Sequence, residues 1–340
     1  MAMITVEHLS KRYGDVLAVD DLSFTIEDGH IYGFLGPNGA GKSTTLNIIT
    51  GCLAATSGDI KIDGHDIYEE EREAKKLIGY LPEIPPLYVD QTPREYLKFV
   101  AEAKGVKKAD IEAEIDRVID ETHITEMQNR LIKHLSKGYR QRVGISQALI
   151  GNPSVIILDE PTVGLDPMQI IEIRDLIAEL GKKHTVILSS HILSEIQAIC
   201  EKVLIIYKGK LVAFDNIENL GKTMSEGNQI EILSGGDPLE TIELLERNTA
   251  ITCFEQKEMI DGYNSFKLTT SNSNPYEICE ELFVAFAGKG IPLVKLNPIK
   301  TTLEDIFIEL TSEEDEDALY GGPEAIEPAE EKAIPEQEAR

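Results

Sequence analysis

Nine residues, "GPNGAGKST" from Gly36 to Thr44, constrain the chain more than any other stretch. They follow the apolar run "IYGFL", which predicts a buried strand. They open "KSTTLNIIT", which predicts a helix closed by Gly51. The glycines let the backbone curl so that its N–H groups point inward, and the helix N-terminus adds partial positive charge. Such a turn cradles phosphate oxygens. Gly36, Gly41, Lys42 and Ser43 fit the spacing GxxxxGK[ST], with Asn38, Gly39, Ala40 and Thr44 completing the cradle. In that arrangement the lysine reaches the β- and γ-phosphates of a nucleotide and the serine hydroxyl ligates Mg²⁺.

A second stretch narrows the chemistry. "SVIILDE" is an apolar run flanked by Gly151–Asn152–Pro153 before and Pro161 after. As a strand it would carry Asp159 to its end, beside the phosphate loop, to hold Mg²⁺ through the metal's water shell. Glu160 then points to the γ-phosphate side as general base or water-orienting group.

The surrounding pattern alternates strands and helices, which implies a parallel sheet with helices around it and an α/β class. Residues 1–30 differ: their short apolar–polar alternation, with turns at Gly14 and Gly29, reads as antiparallel strands. "EYLKFVAEA" and "IEAEIDRVID" have helical spacing, and "PMQIIEIRDLIAELG" is a helix with Asp166 as N-cap and Pro167 in its first turn. After Gly221 the pattern restarts as βαββαβ, the ferredoxin-like unit, followed by a helix over "TTLEDIFIEL". From Thr311 onward the chain has 11 acids against two bases and three prolines, the composition of a disordered acidic tail. The expected organisation is therefore a nucleotide-binding domain over 1–221, a small α+β domain over 222–311 and a tail over 312–340.

Charge sets further limits. With 33 basic and 60 acidic residues the net charge is −27, which argues against a nucleic-acid partner. Any polyanion site must be local. The four cysteines lie far apart without CxxC spacing, which disfavours a zinc site and a disulfide scaffold and fits a reducing cytosol. The N-terminal "MAMITVEHLSKRYG" lacks the apolar core of a signal peptide, and no apolar run approaches the ~18 residues of a membrane span. At a membrane, another chain would have to supply the spanning part.

Against this acidity, "LSKGYRQR" (Leu135–Arg142) is a small basic island. Together with the motifs above it resembles the nucleotide-binding subunits of ABC transporters, over roughly residues 3–221. The resemblance implies an α/β P-loop NTPase fold of the ABC type, hydrolysing ATP with Mg²⁺. "LSKGY" is similar to the family signature LSGGQ and departs from it at the third and fifth positions. In that family two subunits pair head-to-tail, so the anion would be the γ-phosphate held by a second ATP-binding subunit. Ser136 and the Gly138 backbone would bind it, with the Lys137 cation close by. Arg140 and Arg142 are expected to brace the helix or face acidic neighbours, and Arg142 to lie on a solvated face. Tyr13 resembles the aromatic that stacks on adenine, Asp166 the D-loop aspartate, and His191 in "LSSHIL" the switch histidine that contacts the γ-phosphate.

One position departs from the usual pattern. "IGYLPEIPPLY" puts Glu83 where most members carry glutamine, and a carboxylate there would ligate Mg²⁺ more strongly while bringing negative charge toward the phosphate. The "YLPE" form and the closing "TTLEDIFIELT" resemble the exporter branch. The resemblance thus implies a homodimer around two MgATP that drives an integral membrane permease from its cytoplasmic face. Ile84, Leu87, Tyr88 and Val89, on a proline-stiffened loop, are the expected contact with it. The competing reading is a soluble ABC-fold factor. Against it stand a single phosphate loop, only 117 positions between Lys42 and Asp159, and the acidity.

Overall fold

The structure, a computed structural model, describes residues 2–217, 219–220, 228–271, 274–299 and 307–308. Its first sheet is antiparallel. Strands β1 (Ala2–Tyr13) and β2 (Val16–Glu27) form a hairpin that turns at Gly14, with Tyr13 opposite Val16. Strands β4 (Ser57–Ile62) and β5 (His65–Asp66) extend it in the order β2-β1-β4-β5.

The second sheet is the one the apolar runs predict. Strands β3 (Ile31–Leu35), β6 (Ile78–Leu81), β7 (Val155–Asp159), β8 (Thr185–Ser190) and β9 (Lys202–Tyr207) lie parallel, and β10 (Lys210–Asn216) folds back antiparallel on β9. The order is β10-β9-β3-β8-β7-β6. Every residue of β3, β7 and β8 is buried, because both faces of the sheet are covered. Val155 and Ile157 enter one core with Phe34, Leu46 and Ile60, whereas Ile156 and Leu158 enter the other with Leu97, Ile115 and Leu176. This period of two is the strand's own.

Helix α1 (Lys42–Ile49) follows β3, and α2 (Glu71–Lys76) precedes β6. On the other face, α3 (Pro93–Ala103) starts from a capping box between Thr92 and Glu95, and α4 (Ile111–Glu121) packs beside it. Helix α5 (Lys137–Leu149) is capped by Ser136, α6 (Pro167–Leu180) by Asp166, and α7 (Leu193–Ile199) follows β8.

The chain then builds a further sheet with its own core. Strands β11 (Asn228–Ser234), β12 (Ile251–Ile260), β13 (Tyr263–Thr270) and β14 (Leu293–Ile299) are joined by the hairpin β12–β13 and by helices α8 (Pro238–Arg247) and α9 (Pro275–Lys289). All neighbours are antiparallel in the order β12-β13-β11-β14, which is the ferredoxin-like arrangement. Ile230, Ile232, Phe266, Leu282 and Phe286 fill its interior. Of the helix expected over "TTLEDIFIEL", only Phe307 and Ile308 are described, and both are helical. The acidic segment 312–340 lies outside the described residues. Among the described residues no helix is long and apolar enough to cross a membrane.

Candidate active site

Strand order explains why residues more than a hundred positions apart meet. Strand β8 lies between β3 and β7, so their parallel C-terminal ends open on one crevice. From β3 comes the loop Gly36–Gly41, from β7 the pair Asp159–Glu160, and from β8 Ser190–His191. A cleft of about 510 Å³ forms there. It is lined by residues 38–44, Glu83, Glu160 and His191, joined by Ala18, Pro37 and Val163.

Local sterics shape the loop. A Cβ on Gly36 would lie 2.2 Å from the Ile206 carbonyl oxygen. Gly41 has φ +105°, and a Cβ there would come within 2.6 Å of the Ala18 carbonyl oxygen. Only glycine fits either position. Lys42 Nζ donates to the carbonyls of Gly36 (2.7 Å) and Pro37 (3.2 Å) and lies 3.6 Å from Glu160 Oε1. Burial of the ammonium pulls its pKa below the usual lysine value, and the Glu160 charge opposes the shift. A desolvated cation in the first turn of α1, where the helix N-terminus adds partial positive charge, is a strong attractor for phosphate.

The acidic pair is held from behind. Ser43 Oγ donates to Asp159 Oδ1 (3.2 Å), and Ser189 Oγ donates to the same oxygen (2.5 Å) while accepting from the Glu160 N–H (2.9 Å). Glu160 has φ +48°, in the left-handed region that a non-glycine residue rarely adopts, and its carboxylate is nearly buried. Glu160 Oε2 lies 2.9 Å from His191 Nδ1. The carboxylate thus reaches both the Lys42 ammonium and the imidazole, where it can accept a proton from a water attacking a bound phosphate. Ser43, Asp159 and the exposed Glu83 offer only hard oxygen donors, a set that fits Mg²⁺ completed by water and phosphate oxygens.

Other sequence-predicted residues lie apart from the cleft lining. Tyr13 is 48% exposed at the hairpin end, with Lys11 Nζ 5.2 Å from its ring centroid. Asp159 and Gly36 stand behind the lining residues. Ser136 accepts from the Tyr139 N–H as the N-cap of α5, and Asp166 accepts from the Gln169 N–H as the N-cap of α6. The two caps are close: a Cβ on Gly138 would meet the Gln169 side chain at 2.9 Å, and one on Gly164 would meet Lys137 Nζ at 2.2 Å. In this chain the Lys137 ammonium therefore rests on the turn that leads to Asp166.

Arg142 corrects an expectation. It does not lie on a solvated face, since its side chain is only 11% exposed. Its guanidinium donates to the Thr122 carbonyl (3.1 Å) and to Glu172 (2.9 Å). The brace to an acidic neighbour holds, as does that of Arg140, which donates to the Lys133 carbonyl (3.0 Å). Sequence reasoning missed Ala18, Val163 and Ser189. Only Ser189 left a signal: the serine pair ending the otherwise apolar "TVILSS" is fully buried.

Comparison with known proteins agrees with this geometry. Residues 19–163 match the ABC transporter family. The chain is 34% identical over 323 residues to an uncharacterized ABC transporter ATP-binding protein, YhcH, of Bacillus subtilis (strain 168), covering 94% of this chain and 99% of the relative. It is 34% identical over 317 residues to the bacitracin transport ATP-binding protein BcrA of Bacillus licheniformis, covering 91% and 97%. A solved ATP binding subunit of an ABC transporter matches with a TM-score of 0.59 at 30% identity, covering 65% of this chain and 92% of that one. The fold and the site together define a P-loop ATP hydrolase. Within that class the chain belongs to the ABC transporter family, as an ATP-binding subunit.

Proposed function

We infer that two copies of this chain close around two MgATP and drive a separate membrane-spanning permease, in the export direction. The observation that carries the reading is the incompleteness of the cleft. It holds the loop, Lys42, Glu160 and His191, while Ser136 and Gly138 are absent from its lining. A head-to-tail partner would supply them, an isologous contact in which each copy gives its signature to the other's nucleotide. Lys42 and the loop N–H groups then hold the phosphates, Tyr13 stacks on the base, Glu160 accepts the proton of the attacking water, and His191 contacts the γ-phosphate. Ser43 and Asp159, with Glu83, would hold Mg²⁺, which neutralises charge on the phosphate oxygens when bound.

Transport is supported by the relative named for bacitracin transport, and the export direction by Glu83 in "YLPE". The permease would dock beyond Glu83, where Ile84 is 82% exposed beside exposed Tyr88 and Val89. This contact would hold the chain at the cytoplasmic face of the membrane. Residues 1–221 form the ATP-binding domain in this reading, 222–311 an accessory domain and 312–340 a tail.

The test is size-exclusion chromatography of Glu160→Gln, in which ATP binds without turning over. MgATP should give a dimer and ADP a monomer, with Lys42→Ala monomeric in both. A monomer of Glu160→Gln with MgATP at saturating concentration would remove the homodimer. Detergent extraction of membranes should recover a multi-spanning protein with the tagged chain, and its absence would remove the permease.

A further inference from the structure

Beyond Glu160 and His191, a second set of hydrogen bonds joins the same two segments, and it centres on a buried carboxylate that no step above uses. Glu195 stands in the first turn of α7, with 4% of its surface exposed. Its Oε2 accepts from Thr162 Oγ1 at 2.7 Å and from Ser190 Oγ at 3.0 Å. Ser190 Oγ in turn accepts from the Ile192 N–H at 3.0 Å. Thr162 and Ser190 are themselves buried, at 4% and 0%.

The placement matters more than the bonds. Thr162 lies two residues beyond Glu160 and begins the turn through Val163 and Gly164 that ends at Asp166. Ser190 immediately precedes His191, and Ile192 immediately follows it. One carboxylate oxygen on α7 therefore ties Thr162, in the segment after β7, to Ser190 at the end of β8, next to His191. A buried carboxylate is costly to desolvate, and two hydroxyl donors compensate it only while both segments stay in place. His191 is 40% exposed and keeps its 2.9 Å contact with Glu160 only if its loop is held.

We propose that Glu195 is a positioning residue for ATP hydrolysis: it ties the His191 loop to the Glu160–Asp166 turn and so holds the imidazole on the Glu160 carboxylate. The proposal rests on the roles given above to Glu160 and His191. It also gives the turn that carries Val163 and Asp166 a direct mechanical link to His191, so that a displacement of one is felt by the other.

Steady-state ATPase kinetics test it, with Glu160→Gln and His191→Ala measured beside the Glu195 variants. Glu195→Ala should lower kcat by about 10- to 100-fold while KM for ATP stays within about twofold, because the phosphate cradle is untouched. Glu195→Gln keeps an oxygen that accepts both hydroxyls, and it should recover kcat to within about threefold of wild type. In a His191→Ala background, Glu195→Ala should change kcat by less than about twofold, since both changes remove one function. Thr162→Val, which removes one donor at constant shape, should reproduce part of the loss even if Glu195→Ala folds poorly. Wild-type kcat in Thr162→Val, no recovery in Glu195→Gln, or full additivity with His191→Ala would each overturn the proposal. Wild-type turnover in Glu160→Gln and His191→Ala would instead overturn the site reading on which it rests.

Discussion

Glu160 and His191 meet at 2.9 Å across the ends of two neighbouring parallel strands, and Glu160 takes a left-handed backbone conformation to do so. A φ of +48° costs a non-glycine residue of order 1–3 kcal/mol, so the surroundings must hold it. They do: the Glu160 N–H is bonded to Ser189 Oγ, and its side chain spans Lys42 and His191. The carboxylate is thereby aimed before any substrate arrives.

Replacing that carboxylate by an amide separates binding from chemistry. Glu160→Gln keeps the size of the side chain and leaves the loop N–H groups and Lys42 in place. ATP affinity should stay within a few-fold of wild type, while turnover falls by about 10²-fold or more. Equilibrium binding of a fluorescent ATP analogue and a phosphate-release assay measure the two. Turnover within tenfold of wild type would take the base role away from Glu160.

Gly41→Ala tests the loop by sterics alone. The new methyl would sit 2.6 Å from the Ala18 carbonyl oxygen, at a φ of +105° that alanine avoids. Neither atom is the end of a flexible side chain. The loop must open or β2 must move, and both disturb the donors facing the phosphates. Nucleotide affinity should fall by more than about tenfold, with a drop of a few degrees in Tm. Calorimetry and thermal melts check both, and Gly39→Ala, strained at φ +83° but with nothing within 4 Å of its Cβ, separates the backbone strain from the clash.

Which parts of this site the sequence reveals follows from how local each cause is. The loop Gly36–Thr44 is legible because its conformation is set by its own glycines and by the elements on either side. Glu160 and His191 are legible because a polar residue at the end of an apolar parallel strand has one place to go. Ala18 is not, because its approach depends on how the β1–β2 hairpin folds over Gly41. Arg142 is misread for the same reason. Helical spacing alone puts it on a solvated face, while its partners Thr122 and Glu172 stand 20 and 30 residues away. The ferredoxin-like order of the last sheet is legible, since βαββαβ with short connections leaves few alternatives.

Lys104 supplies a pH dependence with a definite sign. It follows α3 and is exposed as a residue, but its ammonium end donates to the carbonyls of Ala148 (3.2 Å) and Ile150 (2.8 Å) at the C-terminal end of α5. Desolvation pulls its pKa down to about 8 from the ordinary 10.5. Below about pH 7 folded and unfolded chains are both protonated, and the contribution is flat. Between about 8 and 10 the unfolded chain still holds a proton that the folded chain has released, so stability from this group rises with pH. Melting curves of wild type and Lys104→Met should therefore diverge in favour of wild type between pH 7.5 and 9.5. A constant difference would mean that the ammonium is as well solvated folded as unfolded.

The loop beyond Glu83 separates two kinds of apolar residue, and that separation decides how docking is tested. Leu87 is half-buried and packs against the core that holds Tyr96, Leu97 and Val100. Tyr88 is 49% exposed and lies with its ring 5.6 Å from that of Tyr96 and 5.2 Å from that of Phe99. Ile84, Val89 and Phe99 are exposed as well, so this segment presents several large apolar residues to water. A charge at Leu87 enters the core and should cost about 1–3 kcal/mol of stability, which shows as a lower Tm. A charge at Tyr88 remains in water. Tyr88→Glu gives up the ring contacts with Tyr96 and Phe99 and should lower Tm by no more than about 4 degrees, with ATPase activity within about twofold, while losing the membrane protein from detergent pull-downs. An undiminished pull-down with Tyr88→Glu would move the docking site elsewhere. A collapse in Tm would show that Tyr88 serves the same core as Leu87.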